Sequence, residues 1–475
     1  MRIAPAMVRN HLLFGLLAFF AVPAWVSSAE LPSPQSDKTK YQIQEERLGI
    51  VGTIKFFAVS QDGLHLACAV AKDNTMCVVL DGRVGPEFEG IGAGALEFSA
   101  DGKRFAYVAA QNQKMLVVVD GLPGPEYDAL AINSLIFSPD GKRLAYAAKM
   151  GEKWCLIVDG EPGPLFQGVG TNKPVFSPDS KHFSYIANNT STLFIMEDHH
   201  PRSGFHYDAI VGTSLTYSPN GLNFAFVAGR KGTPDYFLVV NNQRLPDCEE
   251  IGSRLVFSPD NKHLVFTVRT GKKQCVVVDA RPGPDYDGIG EGSPVYSPDG
   301  GRLVYVAGKN GKMLIVINDQ PQPEFDGILC VPVFSPDGKR MAFSAKKGNK
   351  CFVVLDGMPQ AEWDGIVSHP VFSPNGKRMI YAAQRGEKCF LVENELSGPE
   401  YDRIGKPAFS TDSSLIAYGA QKGNQALVVL DGEPGPLYDT LVPNGPAFHE
   451  DNTLEYLAIK DTTLYRVKHI PAVKK

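Results

Sequence analysis

Charge of one sign, helical periodicity and the short signatures of catalysis are all scarce in this chain of 475 residues. Its 47 Lys and Arg against 52 Asp and Glu leave a net charge of −5, which excludes a nucleic-acid footprint over the whole molecule. There is no Gly-x-Ser-x-Gly elbow, no Cys-x-x-Cys and no His-Glu-x-x-His. The nucleophile and zinc chemistry those spacings serve therefore has no starting point, and no cofactor or metal is expected. Apolar stripes at 3.6-residue spacing are missing too, which argues against helical repeats.

One apolar run exists, and it lies at the N-terminus. Arg2 and Arg9 precede Leu12–Val26, and Ser27-Ser28-Ala29 supplies small residues for cleavage. At about 15 residues the run falls short of the ~20 needed to span a bilayer as a helix. Residues 1–29 are read as a cleavable signal peptide, 30–40 as a short linker and 41–475 as the folded array. The mature protein is then exported, periplasmic or extracellular, and does not span the membrane. No cysteine precedes Cys68, which leaves out a lipid-modified N-terminal cysteine.

What the chain has in surplus is turn-forming residues. Its 47 glycines and 35 prolines make up about 17% of the total, against about 12% in average usage. At 43% hydrophobic the chain is too apolar for disorder, so the surplus belongs to turns between many short elements. One phrase recurs, as in Phe137-Ser-Pro-Asp-Gly-Lys-Arg-Leu-Ala-Tyr146 and Phe334-Ser-Pro-Asp-Gly-Lys-Arg-Met-Ala-Phe343. Its serine falls at 60, 99, 138, 177, 218, 258, 297, 335, 373 and 410, with His449 in the same place last. Eleven copies spaced 37 to 41 residues apart leave no space for an inserted catalytic domain.

Each copy divides into four short strands. In the eighth they read Pro332–Ser335, Arg340–Ala345, Cys351–Leu355 and a brief one around Glu362–Ile366. Turns every 8–12 residues between short β-rich strands are the pattern of a propeller blade. The ends are complementary. The last copy runs out after Leu454–Ile459 and Thr463–Val467, while Glu46–Ile50 precedes the first copy as a fourth strand without a blade. Pairing these segments closes the array and removes its free edges. The fold class expected is all-β: a β-propeller of about eleven four-stranded modules, in one large ring or in two, such as five plus six. Known rings usually hold four to eight blades. That base rate favours two, with the junction near 243–252.

The repeated phrase, followed by a Val-Val-Val-Asp-Gly strand, resembles the WD-repeat-like β-propeller family, which includes TolB-type propeller repeats and the propellers of prolyl oligopeptidase-type peptidases. The resemblance covers about 430 residues and implies fold rather than activity. Two departures stand out. Only about 20 residues separate Ala29 from the first blade, without room for the α/β domain of the TolB type, and the hydrolase domain of the peptidases is absent.

The candidate chemical groups divide mostly into structural ones. The repeated serine precedes a tight turn with no fixed histidine partner and reads as a turn hydroxyl. His65, His182 and His263 occupy a position where other copies carry Arg and read as exposed turn residues; His199-His200 is the one histidine pair. Cys77, Cys155, Cys275, Cys351 and Cys389 share the third strand, too far apart between blades for the 4.4–6.8 Å of a bridge, and read as buried thiols. Cys68 and Cys77 are the one pair worth testing. The recurrent acids Asp128, Asp208, Asp287, Asp326, Asp364, Asp402 and Asp439 read as partners of a neighbouring turn or cation, and the aromatics before them as inter-blade packing.

Two function classes remain: an exported, non-catalytic binding scaffold, and a propeller enzyme acting on polysaccharide from the propeller mouth. His369 and His449 are the only histidines near an inner strand that offer the second anything. For the scaffold, the loops joining second to third strands in copies six to eight carry Arg269, Lys272, Lys273, Lys309, Lys312, Lys346, Lys347 and Lys350 without an acid. Eight local cations on a chain of net −5 read as a docking surface for a protein or an anionic cell-envelope component, presented by a monomer.

Overall fold

A computed structural model describes residues 41–472 of the chain, apart from 51–52, 170–172, 191, 203–205, 230–235, 249 and 253. The expected signal peptide and linker lie outside the described residues. The described residues form eleven antiparallel sheets, and these make a single eleven-bladed β-propeller. In blade 8 the order from the channel outward is Val333–Phe334, Met341–Lys347, Lys350–Leu355 and Met358–Pro359. The two middle strands are the longest and most apolar. In Met341–Lys347 the first five residues are buried.

The fourth strand differs from the sequence-based expectation. It begins directly after the Asp356-Gly357 turn, and Trp363 still pairs with Cys351 in an isolated bridge. Gly365–Ile366 then crosses over and pairs with Met379–Arg385 of blade 9. The Trp-Asp-Gly-Ile segment is thus the crossing point between blades. Its period matches a single strand, but its hydrogen bonds belong to two.

Every blade buries both faces against neighbours. Ala145, Ala147, Leu156 and Val158 on one face of blade 3 pack on Phe176, Phe183 and Tyr185 of blade 4. The same contact runs unbroken through 243–252, where Ala225, Val227 and Leu238 of blade 5 meet Leu255, Leu264 and Phe266 of blade 6. Base rate alone favoured two rings; the sheets form one.

The ring closes as the chain ends require. Tyr41–Ile50 is the outer strand of blade 11, antiparallel to Thr463–Pro471, with Glu46 opposite Arg466 and Ile50 opposite Thr463. Blade 11 then packs on blade 1 through Leu66, Cys68, Val442, Leu457 and Leu464. Two glycines permit that approach. A Cβ on Gly82 (φ +78°) sits 2.0 Å from the Leu48 carbonyl oxygen, and one on Gly63 (φ +75°) sits 2.2 Å from the Gly445 nitrogen.

Two predictions test closure. Deleting residues 30–50 removes a whole strand ladder, so the melting temperature should fall far more than after an ordinary tail deletion; an unchanged midpoint refutes closure by this strand. Gly82→Ala and Gly121→Ala provide a matched pair. Both glycines occupy positive φ in an Asp-Gly turn, at +78° and +83°, but a Cβ on Gly121 meets nothing within 4 Å. Each alanine carries the strain of left-handed backbone, about 1–2 kcal/mol. Gly82→Ala adds the collision with Leu48, and it should melt clearly below Gly121→Ala.

Candidate functional site

The hairpins between second and third strands stand on one face of the ring, and turn chemistry shapes them. In blade 7, Asn310 (φ +51°) and Gly311 (φ +75°) form the tight turn whose twist suits paired strands. Blades 6 and 8 place a single positive-φ glycine there, Gly271 and Gly348, each at +59°. Lys309 and Lys312 flank the first turn, Lys272 and Lys273 follow Gly271, and Lys346, Lys347 and Lys350 surround Gly348. All seven lysines are exposed.

Four of the eight cations are already committed. Lys273 lies 2.7 Å from Asp287, Lys350 lies 2.8 Å from Asp364, and Lys312 pairs with Asp326. Arg269 holds Glu250 at 2.9 Å. Each aspartate comes from the crossing point to the next blade, and its second oxygen takes a backbone N–H there. Asp287 accepts from Asn310 at 2.6 Å, Asp326 from Gly348 at 2.6 Å and Asp364 from Gly386 at 2.8 Å. The lysine and then that N–H hold all three carboxyls below the ordinary 3.8. A lowered carboxyl contributes stability above its unfolded value, and the contribution is lost as pH falls through the lowered one. The same staple recurs at Asp128 with Lys114 and Gly151, and at Asp402 with Lys388 and Gly423. Lys272, Lys309, Lys346 and Lys347 have no carboxylate at ion-pair distance among the described residues. They are the surplus.

On the opposite face a second inter-blade clamp went unread in the sequence. Arg143 pairs with Asp159 at 2.9 Å, donates to the Lys181 carbonyl of the next blade at 2.7 Å, and lies over the Phe176 ring at 5.5 Å. Arg104 and Arg340 repeat this with Asp120 and Asp356. His65, His182 and His263 replace the arginine and hold Asp81, Asp198 and Asp279 at 2.6 Å. They are hydrogen-bond partners of those aspartates as well as turn residues. The spacing of 16 residues from Arg or His to Asp was the available signal. The repeated serine behaves as read: Ser138 Oγ donates to Asp140 at 2.6 Å and accepts from the Arg143 N–H at 2.9 Å.

The remaining candidates stay apart. His199 packs against Phe183 and Tyr185, and His200 bonds the Asp198 carbonyl. Among the described residues no group of three or more His, Cys, Asp or Glu is placed to hold a metal. Cys68, Cys77, Cys155, Cys330, Cys351 and Cys389 are free and buried, and Cys275 is buried; burial pushes the Cys68 thiol up to about 12. The aromatics at the crossings pack between blades, Tyr127 edge-on to Tyr146 at 6.0 Å and Tyr286 to Tyr305 at 6.0 Å. At the inner strands of blades 2 to 4, a cavity of about 470 Å3 is lined by Ile136, Phe137, Val175 and Phe176. Its carboxylate, Glu97, is occupied by Lys173, 3.1 Å from both oxygens. His369 is exposed, and His449 lies 2.9 Å from Glu455.

The staple makes an ordered prediction. Asp364→Ala removes both the lysine pair and the bond to blade 9, whereas Lys350→Ala removes only the pair, and exposed pairs contribute little. Thermal melting should therefore show Asp364→Ala below Lys350→Ala, with the latter close to the parent. The reverse order refutes the inter-blade role.

No protein-family model matches the chain, and neither does any curated protein. Solved structures similar to it include β-propellers. A eukaryotic initiation factor aligns at 14% identity over 71% of this chain and 96% of its own, with a TM-score of 0.39. The Dos1 propeller aligns at 13% identity over 66% and 94%, with a TM-score of 0.33. TolB from Acinetobacter baumannii aligns at 17% identity over 47% and 63%, with a TM-score of 0.25. At these values the likeness adds nothing on function to what the eleven sheets show of the fold.

Proposed function

We propose that the protein is an exported, non-catalytic binding scaffold, directed by residues 1–29 and acting after their removal in the periplasm or outside the cell. It works as a monomer and presents the hairpin face of blades 6 to 8 to an anionic partner, an acidic protein patch or a charged component of the cell envelope. Nucleic acid is not its ligand. No helix among the described residues is long and apolar enough to cross a membrane.

One observation carries this reading. After the staples take Arg269, Lys273, Lys312 and Lys350, the lysines 272, 309, 346 and 347 remain exposed on three consecutive blades with no acid at ion-pair distance among the described residues. A fixed array of like charges on a rigid ring attracts an anionic surface, and the attraction is screened by salt within a Debye length of about 8 Å at physiological ionic strength. For catalysis the support is thinner, since Glu97 is neutralised by Lys173 and His449 belongs to a network between blades.

The test is to reverse Lys272, Lys309 and Lys347 to glutamate and to compare partner capture from envelope extract at low and high salt. Lys309 and Lys347 also lie near enough to Asp287 and Asp326 to help hold those carboxyls down, so the variant should melt slightly below the parent while its low-salt capture drops several-fold. Unchanged capture, with no salt dependence in the parent, removes the docking role. Turnover of a polysaccharide or peptide, abolished by replacing His369 or His449, overturns the non-catalytic reading.

A further inference from the structure

The interface between blade 11 and blade 1 departs from the usual pattern. At seven boundaries an aromatic from the crossing segment meets an aromatic on the next blade's second strand, as in Phe88 with Tyr107, Tyr127 with Tyr146 and Tyr438 with Tyr456. At the seam that second-strand position is Cys68, the one copy without an aromatic there. Among the described residues the apolar cluster beneath it is the smallest of the eleven, with five buried residues.

Blade 11 alone puts charge at both the Glu455 and the Arg466 positions, where the other blades have small or aliphatic residues. On the face toward the next blade, Glu455 pairs across the strands with Lys468, and Leu457 with Arg466. The corresponding positions in blade 3 are Ala145 with Val158 and Ala147 with Leu156, all buried. The Arg466 position is aliphatic in every other blade, from Val78 and Val117 to Val428. Glu455 is 5% exposed. Arg466 Nε lies 2.9 Å from one of its oxygens, at ion-pair distance without a hydrogen bond, Lys468 lies 3.1 Å from the other, and His449 bonds it at 2.9 Å. Arg466 reaches across to Asp81 of blade 1 at 3.3 Å and to Glu46 of the closing strand at 3.5 Å. Asp81 also holds His65 at 2.6 Å, and Asp62 lies near that ring.

We propose that the ring opens at one predetermined place, the seam between blades 11 and 1, which is held by this charged network in place of aromatic and aliphatic packing and is loosened by salt. Buried carboxylates tolerate such a site only while their partners remain, and electrostatic attraction is the part of an interface that salt weakens.

Hydrogen exchange on the full chain tests the seam. Protection factors of Tyr41–Ile50 and Thr463–Pro471 are compared with those of Leu303–Lys309 in blade 7. Between about 0.05 M and about 1 M salt, seam protection should fall by about tenfold while blade 7 stays unchanged. A uniform fall, or a seam as protected as blade 7 throughout, overturns the proposal. The aliphatic pattern is restored by combining Glu455→Ala, Arg466→Leu and Lys468→Val. In that variant the salt response of the seam should vanish; its persistence also overturns the proposal.

Discussion

Each blade is a four-stranded sheet with two apolar faces and no core of its own, so no blade can bury itself without both neighbours. The rest of the molecule follows from that constraint. Ala145 and Ala147 are fully buried because blade 4 covers them. Phe183 and Tyr185 on blade 4 are buried for the same reason, from the other side. A linear array would leave two such faces in water and one outer strand without a partner. Borrowing Tyr41–Ile50 for blade 11 removes all three exposures together.

Among the forces across each blade boundary, packing outweighs charge. A buried aromatic pair adds about 0.5–1.5 kcal/mol beyond the area it covers, whereas an exposed ion pair is worth little. The arginine and lysine clamps on the two faces therefore act mainly as alignment devices. Arg143 reaches the Lys181 carbonyl and the Phe176 ring only when the two sheets are correctly staggered. The Asp326 carboxylate does the same on the other face, meeting Lys312 of its own blade and the Gly348 N–H of the next. With two clamps at opposite ends of each sheet, the packing between them is held in register.

The repeat, the strand order and the closing strand were all legible in the sequence, because a period near 39 residues and a Pro-Asp-Gly turn leave little else to build. The boundary between blades was less legible. Gly365–Ile366 follows Trp363-Asp364 without a break in composition, yet only its pairing with Met379–Arg385 assigns it to blade 9. Likewise, loop composition in blades 6 to 8 showed eight cations and no acid. The acids arrive from the crossing segments, which lie 14 residues away from each lysine in sequence, as in Lys312 and Asp326. Adjacency on the ring, not along the chain, decides which charges are spent inside the fold.

Ring closure shows how a single residue can carry global information. Sheets stack about 10 Å apart and strands about 4.8 Å, so eleven blades place inner strands roughly 20 Å from those opposite. Side chains from inner strands do not fill such a channel, which is consistent with Val295, Val333 and Val371 remaining only half-buried on its wall. Nothing in one blade states that number, because an eleventh of a ring and a fifth of a ring use the same strands. The aromatic on the second strand marks instead where the ring closes. Copies two to eleven all carry Tyr or Phe there, through Tyr107, Phe226, Phe266 and Tyr456, and only the first carries Cys68. That exception coincides with the closing strand, and there the network of Glu455, Arg466 and Asp81 takes over the contact.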